Sequence, residues 1–223
     1  MIKQRRFCRL CENNDLILAL SLEPTPVAEK YVLKKDLNVE DPIFPLDLYL
    51  CNRCGHIQLL DIIDPEYIFD NYTYSSGTSK GLVNHFKEYA EFVINNYKLQ
   101  PGSKILDIGS NDGTLLRFFK EHNFTVLGID PATDIAAKAT KAGIMTYPNF
   151  ISKDLCQKIV NENGEIDVVT VNNTFAHADD LSEMLECIKF LLNKNTGIFV
   201  FEVSYLLDVV QKMLIGTIFH EHL

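Results

Sequence analysis

No stretch of this chain approaches the ~18 uncharged apolar residues that a membrane-spanning helix needs, so no membrane association is expected. The first residues, Met1-Ile2-Lys3-Gln4-Arg5-Arg6-Phe7-Cys8, carry basic charge. No apolar core of ~7–15 residues follows them, and secretion is not expected either. Positive charge is in short supply: 21 Lys and Arg stand against 30 Asp and Glu, a net charge of −9 over 223 residues. That balance lacks the electrostatic footprint of a nucleic-acid binder, although it allows a local basic pocket for an anionic small molecule. Internal repeats and low-complexity segments are missing too. The mix of 47% apolar and 23% charged residues is that of an ordinary globular protein, which excludes disorder, collagen and coiled coil. The expectation is a cytoplasmic protein with one large domain, or one ordinary domain plus a small one.

What is present begins with six cysteines, four of them in two close pairs: Cys8-Arg9-Leu10-Cys11 and Cys51-Asn52-Arg53-Cys54. Two residues between cysteines make a tight knuckle that aims both thiolates at one ion, and two knuckles complete the tetrahedral four-cysteine shell that suits Zn²⁺. Four thiolates leave no open coordination position, so the site reads as structural. The 39 residues between Cys11 and Cys51 exceed the common ribbon spacing and predict a small subdomain between the knuckles. Gly55, directly after Cys54, fits a knuckle turn needing positive φ. A thioredoxin-like redox pair would follow a strand and open a helix, and neither pair has that context. His56 reads as a surface or packing histidine, and Cys156 and Cys187 as half-buried thiols within helices.

Two differently built regions follow one another. Residues 1–70 hold both knuckles and short apolar runs such as Leu16–Leu20, and Leu46–Leu50 alternates with a period of two, as a half-buried strand does. A helix is predicted over 78–97, where Leu82, Val83, Phe86, Ala90, Phe92 and Val93 recur at helical spacing, before Pro101-Gly102. From residue 101 the chain alternates. Strands are predicted at Ile105–Ile108, Thr125–Ile129, Ile144–Tyr147, Ile166–Val171 and Gly197–Val203. Helices are predicted at Gly113–His122, Ala132–Ala142, Ile151–Asn161 and Asp180–Asn193. This pattern predicts an α/β fold with a Rossmann-like, largely parallel sheet covered on both faces.

The alternating region opens on Leu106-Asp107-Ile108-Gly109-Ser110-Asn111-Asp112-Gly113, a strand running into a tight turn and then a helix. It departs from the dinucleotide fingerprint, because the glycine that lets a pyrophosphate approach is replaced by Asn111. Asp107 and Asp112 place negative charge where a phosphate would sit, which favours a cationic ligand without one. Asp130 follows Asp107 by twenty-three residues, at the end of the second strand, where an acid can accept both hydroxyls of a ribose. Together these features look like the S-adenosylmethionine (SAM) site of a class I methyltransferase. The competing reading is a structural βα turn without a ligand.

Several segments together resemble the SAM-dependent sugar C-methyltransferase family, whose members carry an N-terminal zinc-binding domain ahead of the methyltransferase domain. They are both cysteine pairs, with Gly55-His56-Ile57-Gln58-Leu59 after the second; Tyr72-Thr73-Tyr74-Ser75-Ser76; Leu106–Leu116; Gly128–Ala132; Asn173–Asp180; and Phe219-His220-Glu221-His222-Leu223. The resemblance implies methyl transfer from SAM to the carbon beside a ketone, typically C-3 of a nucleotide-linked 4-keto-deoxysugar. It implies cofactor contacts from Asp107, Gly109, Ser110, Asn111, Gly113, Asp130, Pro131 and Asn173. It makes His222 the general base, places Glu221 and His177 in the same site, and turns Tyr72 or Tyr74 toward the substrate. Phe219 stands where the family has Tyr, removing one hydroxyl. Family members continue beyond the H-E-H segment, so a truncated C-terminal part is expected, and with it doubt over the activity of this chain alone.

The chemistry is consistent with that assignment. Methylating carbon requires removal of a proton α to a ketone, and histidine titrates near neutral pH. Read without the resemblance, His177 is a solvated loop histidine and His220-Glu221-His222 a solvated end, with only a weak metal signal. The expected organisation is 1–70 zinc-binding, 71–100 connecting segment and helix, 101–210 methyltransferase domain, and 211–223 the start of the C-terminal part. Alternatives are a SAM methyltransferase with another small-molecule acceptor, or a non-catalytic zinc-ribbon interaction module.

Overall fold

The computed structural model describes residues 2–28, 30–69 and 72–222. Leu223, the last residue of the H-E-H segment, lies outside the described residues, as do Asp70 and Asn71 at the expected domain boundary. The chain forms two compact units: Met1–Tyr72 with Ala176–Ser182 and Ser204–Leu223, and Thr73–Phe175 with Glu183–Val203. The partition is not sequential, as the expected domains were. The helix after residue 78 goes with the sheet, and two later segments go with the knuckles.

The knuckle unit contains β1 (Ile2–Gln4), β2 (Leu16–Leu20), β3 (Leu48–Cys51), β4 (Ile57–Leu59), β5 (Asp61–Ile63) and the short helix α1 (Pro65–Phe69). β2, β3 and β4 form an antiparallel sheet in which Leu50 pairs with Ile57 and Leu48 with Leu59. β1 pairs with β5 separately. The apolar run of β2 does not build a core: Ile17, Leu18 and Leu20 are exposed. Among the described residues, Val27, Phe44, Ile63 and Ile68 form a small apolar cluster.

The sheet unit opens with α2 (Lys80–Asn96), capped by the Ser79 hydroxyl, which accepts from Leu82 N at 3.3 Å. There follow β6 (Lys104–Ile108), α3 (Thr114–Glu121), β7 (Thr125–Ile129), α4 (Thr133–Lys141), β8 (Thr146–Tyr147), α5 (Lys153–Asn163), β9 (Val168–Asn172), α6 (Leu181–Leu191) and β10 (Ile198–Glu202). The five strands run parallel in the order β10-β9-β6-β7-β8. β9 is buried along its whole length, as expected of a strand covered on both faces. α2 belongs here because Phe86, Ala90 and Val93 pack into the cluster of Ile105, Leu115, Leu116, Phe119 and Val168. Cys156 and Cys187 face one another between α5 and α6 and are fully rather than half buried; burial raises the pKa of both thiols. The chain then enters α7 (Leu206–Gln211), in the knuckle unit. Among the described residues, no helix is long and apolar enough to cross a membrane.

Candidate cofactor sites and a histidine pair

In the sheet unit, the turn after β6 depends on backbone that few side chains tolerate. Gly109 has φ +77°, and a Cβ there would lie 2.1 Å from the Thr174 hydroxyl. Gly113, with φ +76°, precedes α3, and Asn111 adopts φ +49°. The N–H groups of Gly109 and Ser110 donate to Ile129 O at 2.8 and 3.1 Å. Asn111 N donates to Asp130 Oδ2 at 2.8 Å, while Asp130 Oδ1 accepts from Ala132 N at 2.9 Å. Asp130 thus clasps the turn from the tip of β7. Each oxygen keeps a lone pair for a ligand hydroxyl. Burial raises its pKa despite these two donors. Pro131 is half-buried beside it.

Asp107 lies within the sheet, its carboxyl accepting from Thr170 Oγ1 at 2.6 Å. Burial pushes its pKa up to about 7. Asp112 differs from the expectation of a charge offered to the ligand. Its oxygens accept from Ser75 Oγ, from Gly77 N at 2.9 Å, and from Thr114 N and Oγ1 at 3.1 and 2.6 Å. Burial raises its pKa, but the bonds from Ser75, Thr114 and Gly77 outweigh that and hold it below 3.8. The Asn111 side chain likewise serves the protein, accepting from Ser76 N at 2.9 Å and donating to Tyr74 O at 3.0 Å. The tip of the turn therefore straps down Tyr74–Gly77. Sequence reasoning missed this role of Ser75, Ser76 and Gly77, although the Y-x-Y-S-S segment marked the place. Asn173, exposed with φ +54°, follows β9 and donates its N–H to Glu202 O at 2.8 Å.

Among the described residues, the buried Ser110 hydroxyl has no hydrogen-bond partner. The Asn172 amide and the Tyr89 hydroxyl are close neighbours without an aligned hydrogen bond. Unpaired polar atoms beside a glycine cradle and an acid at the end of β7 fit a cofactor with a ribose and a charged amino-acid end, as SAM has.

In the knuckle unit, the sulfurs of Cys8, Cys11, Cys51 and Cys54 all lie within 4.8 Å of one another. The Cys8–Cys54 and Cys11–Cys51 separations are 3.7 and 3.6 Å. Tetrahedral Zn–S bonds of ~2.3 Å would space the sulfurs by ~3.8 Å, so the four residues fit zinc. The two knuckles are built alike: Glu12 N donates to Cys8 O at 2.8 Å and Gly55 N to Cys51 O at 2.9 Å. The residue after each pair has positive φ, 60° at Glu12 and 76° at Gly55. His56 is not part of the group, and burial lowers its pKa, with Arg9 adding to the effect.

The same unit stacks His177 on His222, with ring centroids 5.1 Å apart and an interplanar angle of 27°. Phe69 stacks on His177 at 5.9 Å, and Tyr72 meets Phe69 edge-on at 5.6 Å. Neither histidine segment is simply solvated. Among the described residues, His177 Nε2 is buried without a hydrogen-bond partner. Burial, with His222 beside it, lowers the His177 pKa to about 3. His222 Nδ1 lies 2.9 Å from Thr217 O; a carbonyl only accepts, so Nδ1 carries the proton and Nε2 of the neutral ring is left basic. His220 is turned into the unit instead, 1% exposed, with Nε2 3.2 Å from Phe44 O. Glu221 is half-buried beside it. Tyr72 falls in the knuckle unit and Tyr74 in the sheet unit.

A parallel five-stranded sheet with a glycine turn after its central strand and an acid at the tip of the next is a class I methyltransferase fold. The family described as "Methyltransferase domain" matches residues 83–219, and the chain belongs to it. The family described as "Putative zinc binding domain" matches residues 8–69. A C-methyltransferase of Streptomyces niveus, NovU, is 30% identical over 215 residues, which are 96% of this chain and 51% of the relative. The chain thus spans about half the length of that relative. Among solved structures, the plantazolicin methyltransferase BpumL is 20% identical with a TM-score of 0.47, over 66% of this chain and 56% of that one. A methyltransferase from Clostridium acetobutylicum is 19% identical with a TM-score of 0.44, over 57% and 54% of the two chains.

Proposed function

We propose that this chain is the cofactor- and zinc-binding part of a SAM-dependent C-methyltransferase. Its acceptor is the carbon α to the ketone, C-3, of a nucleotide-linked 4-keto-deoxysugar. The observation that carries the reading is His222: the Thr217 carbonyl fixes its tautomer and leaves Nε2 as the basic atom. His222 takes the acceptor proton, with Glu221 orienting it. His177, held neutral by burial, donates from Nε2–H to the enolate oxygen. A hydroxyl of Tyr72 or Tyr74 supplies a further hydrogen bond to the substrate. SAM, when bound at Gly109, Ser110, Asn111, Gly113, Asp130, Pro131 and Asn173 with Asp107 beneath them, supplies an electrophilic methyl group. Residues 1–70 hold zinc through Cys8, Cys11, Cys51 and Cys54, as a structural centre. The identity to a C-methyltransferase over nearly the whole chain supports the carbon acceptor.

Solvent-deuterium exchange at C-3 of a 4-keto sugar nucleotide, measured without SAM turnover, tests this reading. His222→Asn abolishes exchange and leaves SAM affinity intact. Exchange that persists in His222→Asn but vanishes in His177→Asn reassigns the base. Exchange indifferent to both removes the enolate mechanism and leaves a methyltransferase of another acceptor.

A further inference from the structure

The Asn173–Asp180 segment contains an acid that the proposed chemistry does not use. Asp179 lies two residues after His177, in the stretch that joins the knuckle unit. Arg5 grips it twice: Nε donates to Asp179 Oδ1 at 2.8 Å and Nη2 to the Asp179 backbone carbonyl at 3.0 Å. The second bond fixes main chain rather than a mobile side chain. Arg9 Nη2 lies 3.6 Å from the same Oδ1.

Arg9 is itself part of the first knuckle, between Cys8 and Cys11. Its side chain is 1% exposed. Its Nη2 donates to Leu59 O at 3.0 Å, and its backbone N donates to Gln58 Oε1 at 2.9 Å. Gln58 in turn donates to Phe7 O at 3.2 Å. Arg5 N is tied to Leu60 O at 2.8 Å. Both arginines are thus anchored in backbone that the cysteines organise. Four thiolates around one Zn²⁺ would leave a net negative charge, and Arg9, the residue after Cys8, carries a positive one. Partly buried pairs of this kind are weakly screened, and the fork of Arg5 imposes direction as well as attraction.

We infer that Arg5, Arg9 and Asp179 form a positioning device that ties the zinc knuckle to the segment carrying His177, so that the state of the metal site reaches the histidine pair. The inference rests on the reading of His177 and His222 as site residues. It gives the zinc centre a second task beyond folding its own unit: holding His177 against His222 and Phe69.

The test uses the full chain with Asp179→Asn and Asp179→Glu. Zinc content, SAM affinity by calorimetry, the NMR titration of His177 in histidine-labelled protein, and deuterium exchange into a 4-keto sugar nucleotide are followed together. In Asp179→Asn, zinc stays at one ion per chain and SAM affinity is unchanged. The His177 titration moves up from about 3 toward the ordinary 6.5 as the ring is released. Exchange falls by roughly tenfold or more, as expected when a reacting group is misplaced by ~1 Å. Asp179→Glu restores part of both signals. If Asp179→Asn loses zinc, Arg5→Lys is judged by the same criteria, since it keeps the charge and loses the fork. An unmoved titration with undiminished exchange overturns the device, and leaves His222 as the base if His222→Asn still abolishes exchange. Exchange indifferent to His222→Asn removes the base assignment, while the His177 titration still reports on the tether.

Discussion

The sheet unit buries Ile105, Leu106, Leu116, Phe119, Ile129, Val168 and Val169 to within 3% of full burial, and its strands pair along their length. Among the described residues, the knuckle unit has strands of three to five residues and a cluster of four buried apolar residues, with Leu46, Leu59, Leu60 and Ile62 buried besides. The first stands on apolar burial, the usual dominant stabilising contribution. The second cannot, and four cysteines stand where a core would otherwise be needed. The two units should therefore fail under different insults.

Metal removal has the largest expected effect. Structural zinc contributes ~10–16 kcal/mol of apparent binding energy in small zinc peptides, and that energy is folding energy. Chelation is expected to release amide protection across 2–69 and leave β6–β10 protected, as site-resolved hydrogen exchange can show. Elemental analysis of protein purified without added metal should find one zinc per chain. Folded, zinc-free protein would sink the idea. The converse perturbation is Phe119→Ala, expected to cost the sheet unit ~3–5 kcal/mol in denaturant unfolding without altering zinc content.

Proton linkage gives His177, in the knuckle unit, and Asp107, in the sheet unit, opposite slopes. The His177 pKa is lowered from 6.5 to about 3, so the unfolded chain binds the proton more tightly. Stability of the knuckle unit from this group is present above 6.5 and is lost as pH falls. The Asp107 pKa is raised from 3.8 to about 7, so the folded state binds the proton more tightly. Stability from that group is present below 3.8 and is lost as pH rises through 7. Between pH 5 and pH 7 each effect amounts to about 2 kcal/mol. Hydrogen exchange at the two pH values reads both units at once. His177→Gln should remove the His177 share of the knuckle-unit slope and Asp107→Asn the Asp107 share of the sheet-unit slope; a substitution that leaves its unit's slope unchanged would refute the assignment.

The sheet unit was legible because its signals are local. Strand runs such as Thr125–Ile129, the Gly109–Gly113 turn and the helix around Phe86 are each encoded within a dozen residues. The cysteine pairs were legible because metal geometry dictates their spacing. The path of 176–182 and 204–223 into the knuckle unit was not, since it depends on contacts such as Arg5–Asp179, separated by 174 residues. Charge patterns misled at Asp112, which on paper faces a cationic ligand and in the fold is consumed by Ser75, Gly77 and Thr114. His220 misled in the same way: polar residues after an apolar stretch suggest solvent, yet its ring reaches the Phe44 carbonyl. Tyr72 and Tyr74 stand as alternatives for one role and fall in different units.

The smallest effect sharpens what the turn itself does. Asp130 has two duties that substitution can separate: it accepts from Asn111 N and Ala132 N, and it is proposed to accept the ribose hydroxyls. Asp130→Ala removes both. Asp130→Asn keeps one carbonyl oxygen for the backbone but loses the charge that strengthens every bond it accepts. Asp130→Asn should therefore retain most of the thermal stability of the sheet unit, yet bind SAM roughly tenfold more weakly, or ~1.5 kcal/mol, the low end for a hydrogen bond to a charged group. Asp130→Ala should lose both affinity and stability, because Asn111 then holds φ +49° without its anchor. Calorimetry with SAM and thermal unfolding without it distinguish the cases. Undiminished affinity in Asp130→Asn, alongside lowered stability in Asp130→Ala, would reduce Asp130 to a clasp for the turn and leave the ribose to another residue.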